Sequence, residues 1–209
     1  YKLVGIKIVM SLAERINLPV VPPSVPRRGN RLTRFTGLLF MAASGWSYEG
    51  NWPDEPKFII AIVPHTSNVD FPIGLNILFS MGLRLDFMGK ESLFWEPFGT
   101  FLHWLGGVPI SRSTSGGAVG QAVEQFNQRD QFVLVITPEG TRAKVDKWKT
   151  GFYHIANGAG VPIVPAGFDY ATKTVKIGPP LMPSGDMEAD FAELREFYAG
   201  VQARIPENA

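Results

Sequence analysis

The residues best suited to chemistry in this chain sit directly after apolar runs. The first group is Pro64-His65-Thr66-Ser67-Asn68-Val69-Asp70, which follows Lys57–Val63. A histidine changes charge near neutral pH and can take a proton as a general base. An aspartate five residues later can accept a hydrogen bond from Nδ1, fix the tautomer and stabilise the imidazolium. The two meet if His65 lies in a loop and Asp70 in the first turn of the following helix. The competing reading is a helix capped by Asn68 with a surface histidine beside it.

The second group, Thr137-Pro138-Glu139-Gly140-Thr141-Arg142, also ends an apolar run. Gly140 permits a tight turn, and Glu139 and Arg142 can face one crevice. Lys144, Lys147 and Lys149 follow, so four cations fall within eight residues when Arg142 is counted. That density suits phosphate; a solvated basic loop is the alternative. The third group is Gly107-Val108-Pro109-Ile110-Ser111-Arg112, a short strand that would deliver Arg112 to the same edge as His65 and Glu139. The fourth, Val161-Pro162-Ile163-Val164-Pro165-Ala166, reads by itself as a buried strand between prolines.

The elements that must position these groups alternate. Strands are expected at Lys57–Val63, Leu85–Met88, Val108–Ile110, Phe132–Thr137, Ile163–Phe168 and Thr174–Ile177. Helices are expected at Asn68–Met81, Ser92–Leu105 (broken near Pro97–Gly99), Ala118–Gln128, Phe152–Ala159 and Met187–Ile205. Such alternation predicts an α/β fold, a mostly parallel mixed sheet flanked by helices. In such folds functional groups gather beyond the carboxyl ends of strands.

The N-terminal part differs. Residues 1–18 and 31–46 read as an N-terminal helical hairpin around the proline-rich stretch 19–30, and Asn51–Pro56 as a linker. The expected organisation is a membrane-docking appendage over residues 1–50 and an α/β domain over 51–209. Residues 1–50 carry seven Lys or Arg against two Glu, whereas residues 180–209 carry six acids against two Arg. No apolar stretch reaches the ~18–20 residues of a spanning helix. Two short apolar helices, with Lys2, Lys7, Arg15, Arg27, Arg28, Arg31 and Arg34 on and between them, suit monotopic docking on an anionic membrane surface, expected at the cytoplasmic face. Trp46, Tyr48 and Trp52 would then sit at headgroup level. A hairpin packed on the domain to complete its core is the alternative.

Cysteine is absent, which excludes a disulfide framework, a Cys-ligated metal and a cysteine nucleophile. Three histidines leave no histidine-rich metal cluster, and a net charge of +1 gives no reason to expect nucleic acid.

Taken together, the order and spacing of the four groups resemble the glycerolipid acyltransferase family, the lysophosphatidic acid and glycerol-3-phosphate acyltransferases of phospholipid synthesis. That family carries a histidine, four variable residues and an aspartate, here His65 and Asp70. It also has a glycine-to-arginine block, here Gly107 to Arg112, and a Pro-Glu-Gly-Thr-Arg block, here Pro138 to Arg142. An apolar proline-containing strand ends the pattern, here Val161–Pro165, and the likeness spans roughly residues 57–170.

The resemblance implies an O-acyltransferase that moves a fatty acyl group from an acyl thioester to a hydroxyl of a lysophospholipid or glycerol-phosphate acceptor. His65 would be the general base and Asp70 its orienting partner. Arg112, Arg142 and Lys149 would contact acceptor phosphate, and Lys90 would be a further substrate-binding residue. Glu139 would hold glycerol hydroxyls or order the site, and Gly140 and Thr141 beside it would belong to the substrate-binding block. Acyl-CoA or acyl-carrier protein would be the co-substrate, with no metal, no prosthetic group and no covalent acyl-enzyme. Ser67 lacks the glycine-flanked elbow of a nucleophile. Leu93–Leu105 would line an apolar groove for the acyl chain. His103 and His154 read as structural.

The chain departs from the family pattern at Pro64, Ser111, Thr137 and Ala143. None of these removes a catalytic group, but they surround the acceptor blocks. Two alternatives accompany this reading. One is a non-catalytic membrane-surface lipid-binding protein of the same fold, which the intact His65, Asp70 and Glu139 argue against. The other is an acyltransferase for a non-phosphate lipid acceptor.

Overall fold

The computed structural model describes residues 2–111 and 117–209, with side chains from Lys7 onward. The chain runs α1 (Lys2–Arg15), α2 (Arg31–Ser44), β1 (Ser47–Glu49), β2 (Lys57–Ile62), α3 (Asp70–Met81), β3 (Asp86–Lys90) and α4 (Phe98–Leu105). It continues through β4 (Gly107–Ile110), α5 (Gly117–Gln128), β5 (Phe132–Ile136), α6 (Gly151–Ala159), β6 (Ile163–Asp169), β7 (Thr174–Ile177) and α7 (Met187–Ala199).

The strands form one sheet in the order β1-β7-β6-β2-β5-β3-β4. The five strands β6, β2, β5, β3 and β4 are parallel, while β7 is antiparallel to β6 and β1 parallel to β7. This is the mixed, mostly parallel sheet that the alternation predicts. The central strand β2 pairs with β5 on one side (Ala61 opposite Ile136) and β6 on the other (Ile62 opposite Ala166).

Successive side chains of a strand point to opposite faces, and β2 is apolar at every inner position because both faces are covered. Phe58 and Ile60 pack with Leu38, Met41, Ile73, Ile77 and Met81 under α2 and α3. Ile59 and Ala61 pack with Phe126, Phe152, Ala156, Phe191 and Leu194 under α5, α6 and α7. The result is a three-layer sandwich with two cores.

The N-terminal segment is built into the first of these cores. Ile16, Leu38, Met41 and Tyr48 are buried in the same cluster as Phe58, and β1 is a strand of the main sheet. Gly37 lets α2 lie directly on the backbone of α3, where a Cβ would collide with the Ser80 amide. Trp46, Tyr48 and Trp52 are buried, which corrects their expected place at headgroup level. Their apolar area is covered by α2, α3 and the sheet, and their polar atoms find partners inside. Tyr48 Oη lies 2.7 Å from Ser80 Oγ, and Trp52 Nε1 donates to Met81 Sδ at 3.0 Å. Arg27, although exposed, clamps the N-terminal segment to the end of α3 by donating to the carbonyls of Met81 and Val21.

Smaller differences have local causes. The expected break in Ser92–Leu105 falls just before α4, with Pro97 at its start, and what precedes it is a 3₁₀ turn at Glu91–Leu93 rather than α-helix. The last helix stops at Ala199 rather than Ile205, before Gly200.

Candidate active site

β2 ends at Ile62, and its continuation carries His65 over the carboxyl edge of the sheet into the loop before α3. Asp70 is the first residue of α3, where a carboxylate is favoured by the helix N-terminus. Asn68 does not cap this helix: it is exposed, and no side chain caps the first turn. His65 Nδ1 lies 2.9 Å from Asp70 Oδ2. A carboxylate only accepts, so Nδ1 holds the proton and Nε2 is the basic nitrogen.

Two neighbouring strands complete the arrangement. From the end of β5, Glu139 Oε2 accepts the backbone N–H of His65 at 2.8 Å. Immediately after β6, the Tyr170 hydroxyl donates to Asp70 Oδ1 at 2.5 Å. Asp70 Oδ2 also accepts the Ser67 N–H at 3.1 Å. Asp70 is only 3% exposed, so each of its oxygens depends on these protein donors.

Burial pushes the Asp70 carboxyl upward, but donation from His65, Tyr170 and Ser67, together with the imidazole charge, outweighs it and holds Asp70 below its ordinary range. Glu139 goes the other way. Burial raises it and the negative Asp70 adds to this, against the lowering effect of the His65 N–H and imidazole. Tyr170 is raised by burial first, then by its bond to Asp70, and stays a protonated donor. The site therefore holds an ionised carboxylate, a fixed tautomer and an imidazole whose second nitrogen can take a proton.

The remaining expected residues lie around this centre. Gly140 has φ +63°, and its N–H closes a turn on the Thr137 carbonyl at 3.0 Å. The Lys149 side chain lies across Gly140, so that a Cβ there would stand 2.5 Å from Nζ. The Lys149 N–H donates to the Pro138 carbonyl at 2.8 Å, which pins the base of the basic loop. Thr141 accepts the Ala143 N–H, and Thr141 and Arg142 are both exposed. Lys90 is exposed at the carboxyl end of β3, two strands from β2 in the sheet. Arg112 lies outside the described residues. The sheet thus brings His65, Asp70 and Glu139 into contact and places Lys149 and Lys90 along the same edge.

Tyr170 escaped the sequence reading. Its only signal is its place one residue beyond a strand, the rule that picked out His65. Two other expectations change. Trp95, Phe98, Phe101 and Trp104 face outward and do not enclose an acyl groove. A partly open cavity of about 180 Å³ lies between β3, β4 and α5, with Met88, Val108, Ile110, Ala122 and Phe132 in its lining beside Gln121, Glu124 and Gln125. His103 is structural: its ring packs 4.8 Å from that of Phe94, and Nδ1 donates to the Gly107 carbonyl at 3.0 Å.

The fold and site define an α/β protein with a His–Asp pair at the carboxyl edge of a mostly parallel sheet. The family model described as Acyltransferase matches residues 48–169, and the chain belongs to that family. The 1-acyl-sn-glycerol-3-phosphate acyltransferase of Escherichia coli (strain K12) is 34% identical over 113 residues, 51% of this chain and 44% of that protein. The protein so named in Haemophilus influenzae is 32% identical over 144 residues, 64% of this chain and 58% of that one. The chain therefore spans about half the length of the curated relatives it matches. The crystal structure of the 1-acyl-sn-glycerophosphate (LPA) acyltransferase PlsC from Thermotoga maritima shares the fold, with a TM-score of 0.58 at 23% identity, covering 80% of this chain and 75% of that one.

Proposed function

We propose that the chain is an O-acyltransferase that moves a fatty acyl group from acyl-CoA or acyl-carrier protein to a hydroxyl of a lysophospholipid or glycerol-phosphate acceptor. The observation that carries this reading is the 2.9 Å contact between His65 Nδ1 and the buried carboxylate of Asp70. In the proposed reaction His65 Nε2 takes the proton of the acceptor hydroxyl as its oxygen attacks the thioester carbonyl carbon. Asp70 stabilises the imidazolium that forms. Collapse of the tetrahedral intermediate breaks the C–S bond, and the proton passes to the departing thiolate. No acyl-enzyme is formed, and no metal or prosthetic group takes part.

Glu139 holds the His65 backbone, and so sets where the imidazole stands. Arg142, Lys149 and Arg112 are assigned to acceptor phosphate, and Lys90 to substrate binding. Among the described residues no helix is long and apolar enough to cross a membrane. We assign the chain to monotopic association with an anionic membrane surface at the cytoplasmic face.

The test is a thioester assay of the purified chain with palmitoyl-CoA or acyl-carrier protein as donor. Lysophosphatidic acid, glycerol 3-phosphate and a phosphate-free lysolipid serve as acceptors, and products are read by lipid mass spectrometry. The expected result is a new ester on a phosphate-bearing acceptor that disappears with His65→Ala. Acylation confined to the phosphate-free acceptor would overturn the phosphate assignment, and no product with any acceptor would overturn the activity.

A further inference from the structure

α4 carries an unusual surface. Trp95 precedes it, and Phe98, Phe101 and Trp104 follow at intervals of three residues, which places them on one helix face. All four are open to solvent, at 61, 41, 47 and 52% exposure. Their ring centroids are spaced 5.9, 6.2 and 6.1 Å apart, so they form a continuous aromatic row. Leu93, 49% exposed, lies just ahead of it in the chain. Soluble surfaces rarely leave an apolar stripe of this kind without a partner.

The row has an electrically distinct end. At Trp104 the guanidinium of Arg28 sits 4.7 Å above the indole ring. Beyond it opens a cleft of about 430 Å³ whose lining includes Arg27, Arg28, Arg84, Arg129 and a single acid, Asp86. Asp86 is engaged by Arg129 at 3.3 Å, and Arg27 is held by backbone carbonyls. Among the described residues neither Arg28 nor Arg84 pairs with a carboxylate. The acids at the other end are Glu91 and Glu96, and Glu96 is occupied by the Thr100 hydroxyl at 2.6 Å. Arg28 also stands three residues before the start of α2, whose first turn exposes Arg31, Leu32 and Arg34.

We propose that this aromatic row, with Arg28 and Arg84 at its end, is the face that docks the chain on an anionic phospholipid bilayer. Tryptophan and phenylalanine partition to the headgroup boundary, and unpaired arginines complement lipid phosphate there. The surface deepens the lipid-acceptor reading and moves the point of membrane contact from the buried Trp46, Tyr48 and Trp52 to α4. α4 follows β3 in the chain and ends just before β4 begins, so it runs from the carboxyl edge of the sheet, where His65 lies, to the opposite edge. The start of α4 therefore lies toward the same edge of the sheet as His65, with β5 and β3 between β2 and β4.

The experiment is sedimentation of the full chain with phosphatidylcholine vesicles, with and without phosphatidylglycerol, at low and high salt. Wild type should bind the anionic vesicles, with a blue shift of tryptophan emission. Phe101→Ser with Trp104→Ser should lose at least about tenfold in partitioning, since two exposed rings worth more than 1.4 kcal/mol together leave the interface. Arg28→Gln and Arg84→Gln should each lose about fivefold, only on anionic vesicles and only at low salt. Circular dichroism, and turnover on a water-soluble short-chain acceptor, should stay as in wild type, because Phe101, Trp104 and Arg84 are exposed, Arg28 is half-buried with its guanidinium over the Trp104 ring, and all lie toward the β4 side of the sheet, away from β2 and His65.

Equal sedimentation of the Phe101/Trp104 variant and wild type would overturn the proposal, as would loss confined to Ile8→Ser with Met10→Ser on α1. If Phe101→Ser instead abolished a concentration-dependent dimer in sedimentation velocity, the row would be a protein interface and the lipid assignment wrong. Vesicle binding that follows these variants while no acceptor is acylated would leave the docking face standing and remove the proposed activity.

Discussion

Replacing Tyr170 by phenylalanine removes one oxygen atom and leaves the ring, including its edge contact with Trp46 at 5.2 Å. The atom lost is the donor to Asp70 Oδ1. Oδ2 keeps the Ser67 N–H and the imidazole, so only Oδ1 is orphaned, in a residue 3% exposed. A hydrogen bond to a charged group contributes about 1.5–3 kcal/mol. If all of it were felt in the transition state, kcat would fall about 10–150-fold at 1.36 kcal/mol per decade. Asp70 is ionised before and during proton transfer, so much of the bond is common to both states, and a loss near tenfold is expected. The pH profile has a definite sign. Tyr170 helps hold Asp70 low, so the variant Asp70 titrates at a higher pH than wild type. Rate and stability that depend on the carboxylate are present above its pKa and are lost as pH falls through it. The acid limb of kcat/KM should therefore move to higher pH in Tyr170→Phe. The assay is release of free thiol from palmitoyl-CoA with lysophosphatidic acid, across a pH series, in wild type, Tyr170→Phe, Asp70→Asn and the double variant. Phenylalanine should change little once Asp70 is asparagine, because Tyr170 acts through that carboxylate. Wild-type kcat with an unmoved acid limb in a folded Tyr170→Phe protein would refute the reasoning and leave Tyr170 a packing residue.

His65→Ala should leave the circular dichroism spectrum intact and lower kcat by about 10²–10⁴-fold, the range of general base catalysis. Asp70→Asn should lose much of the same rate and the His65/Asp70 double variant little more, because the pair acts as a unit; full additivity in single-turnover rates would argue against a dyad. Arg142→Ala should raise the acceptor KM by about tenfold while sparing the donor KM, at the low end for a charge-assisted bond because the loop is exposed, and Lys149→Ala should do the same more weakly; an effect on the donor alone would reassign the loop. Leu38→Ala, at a fully buried position on α2, should cost about 2–5 kcal/mol, a Tm fall of roughly 4–20 °C for a chain of this size, and a scan showing no change would mean that α2 is not part of the core. For the same reason a chain beginning near Asn51 is expected to unfold, since it lacks Ile16, Leu38, Met41, Trp46 and Tyr48.

The sequence by itself determined the sheet and the chemistry carried along it. Apolar runs such as Lys57–Val63 and Phe132–Thr137 are buried on both faces and read as parallel strands, and the rule that side chains collect beyond their carboxyl ends points at His65 and Glu139. The five-residue spacing from His65 to Asp70 is a local property, a loop and the first turn of a helix, so the pair was visible before any tertiary contact. Tertiary structure decided what depends on strand order. That β2 lies between β5 and β6 is not written in either segment, and it is this order that brings Glu139 to the His65 amide and Tyr170 to Asp70. The same holds for solvent exposure. Trp46, Tyr48 and Trp52 and the aromatics of α4 are alike in composition. Packing against α2, α3 and the sheet buries the first set, while α4, at the β4 edge of the sheet, leaves the second open. An aromatic cluster states how much apolar area must be covered or used, and only the neighbours that fold against it determine which.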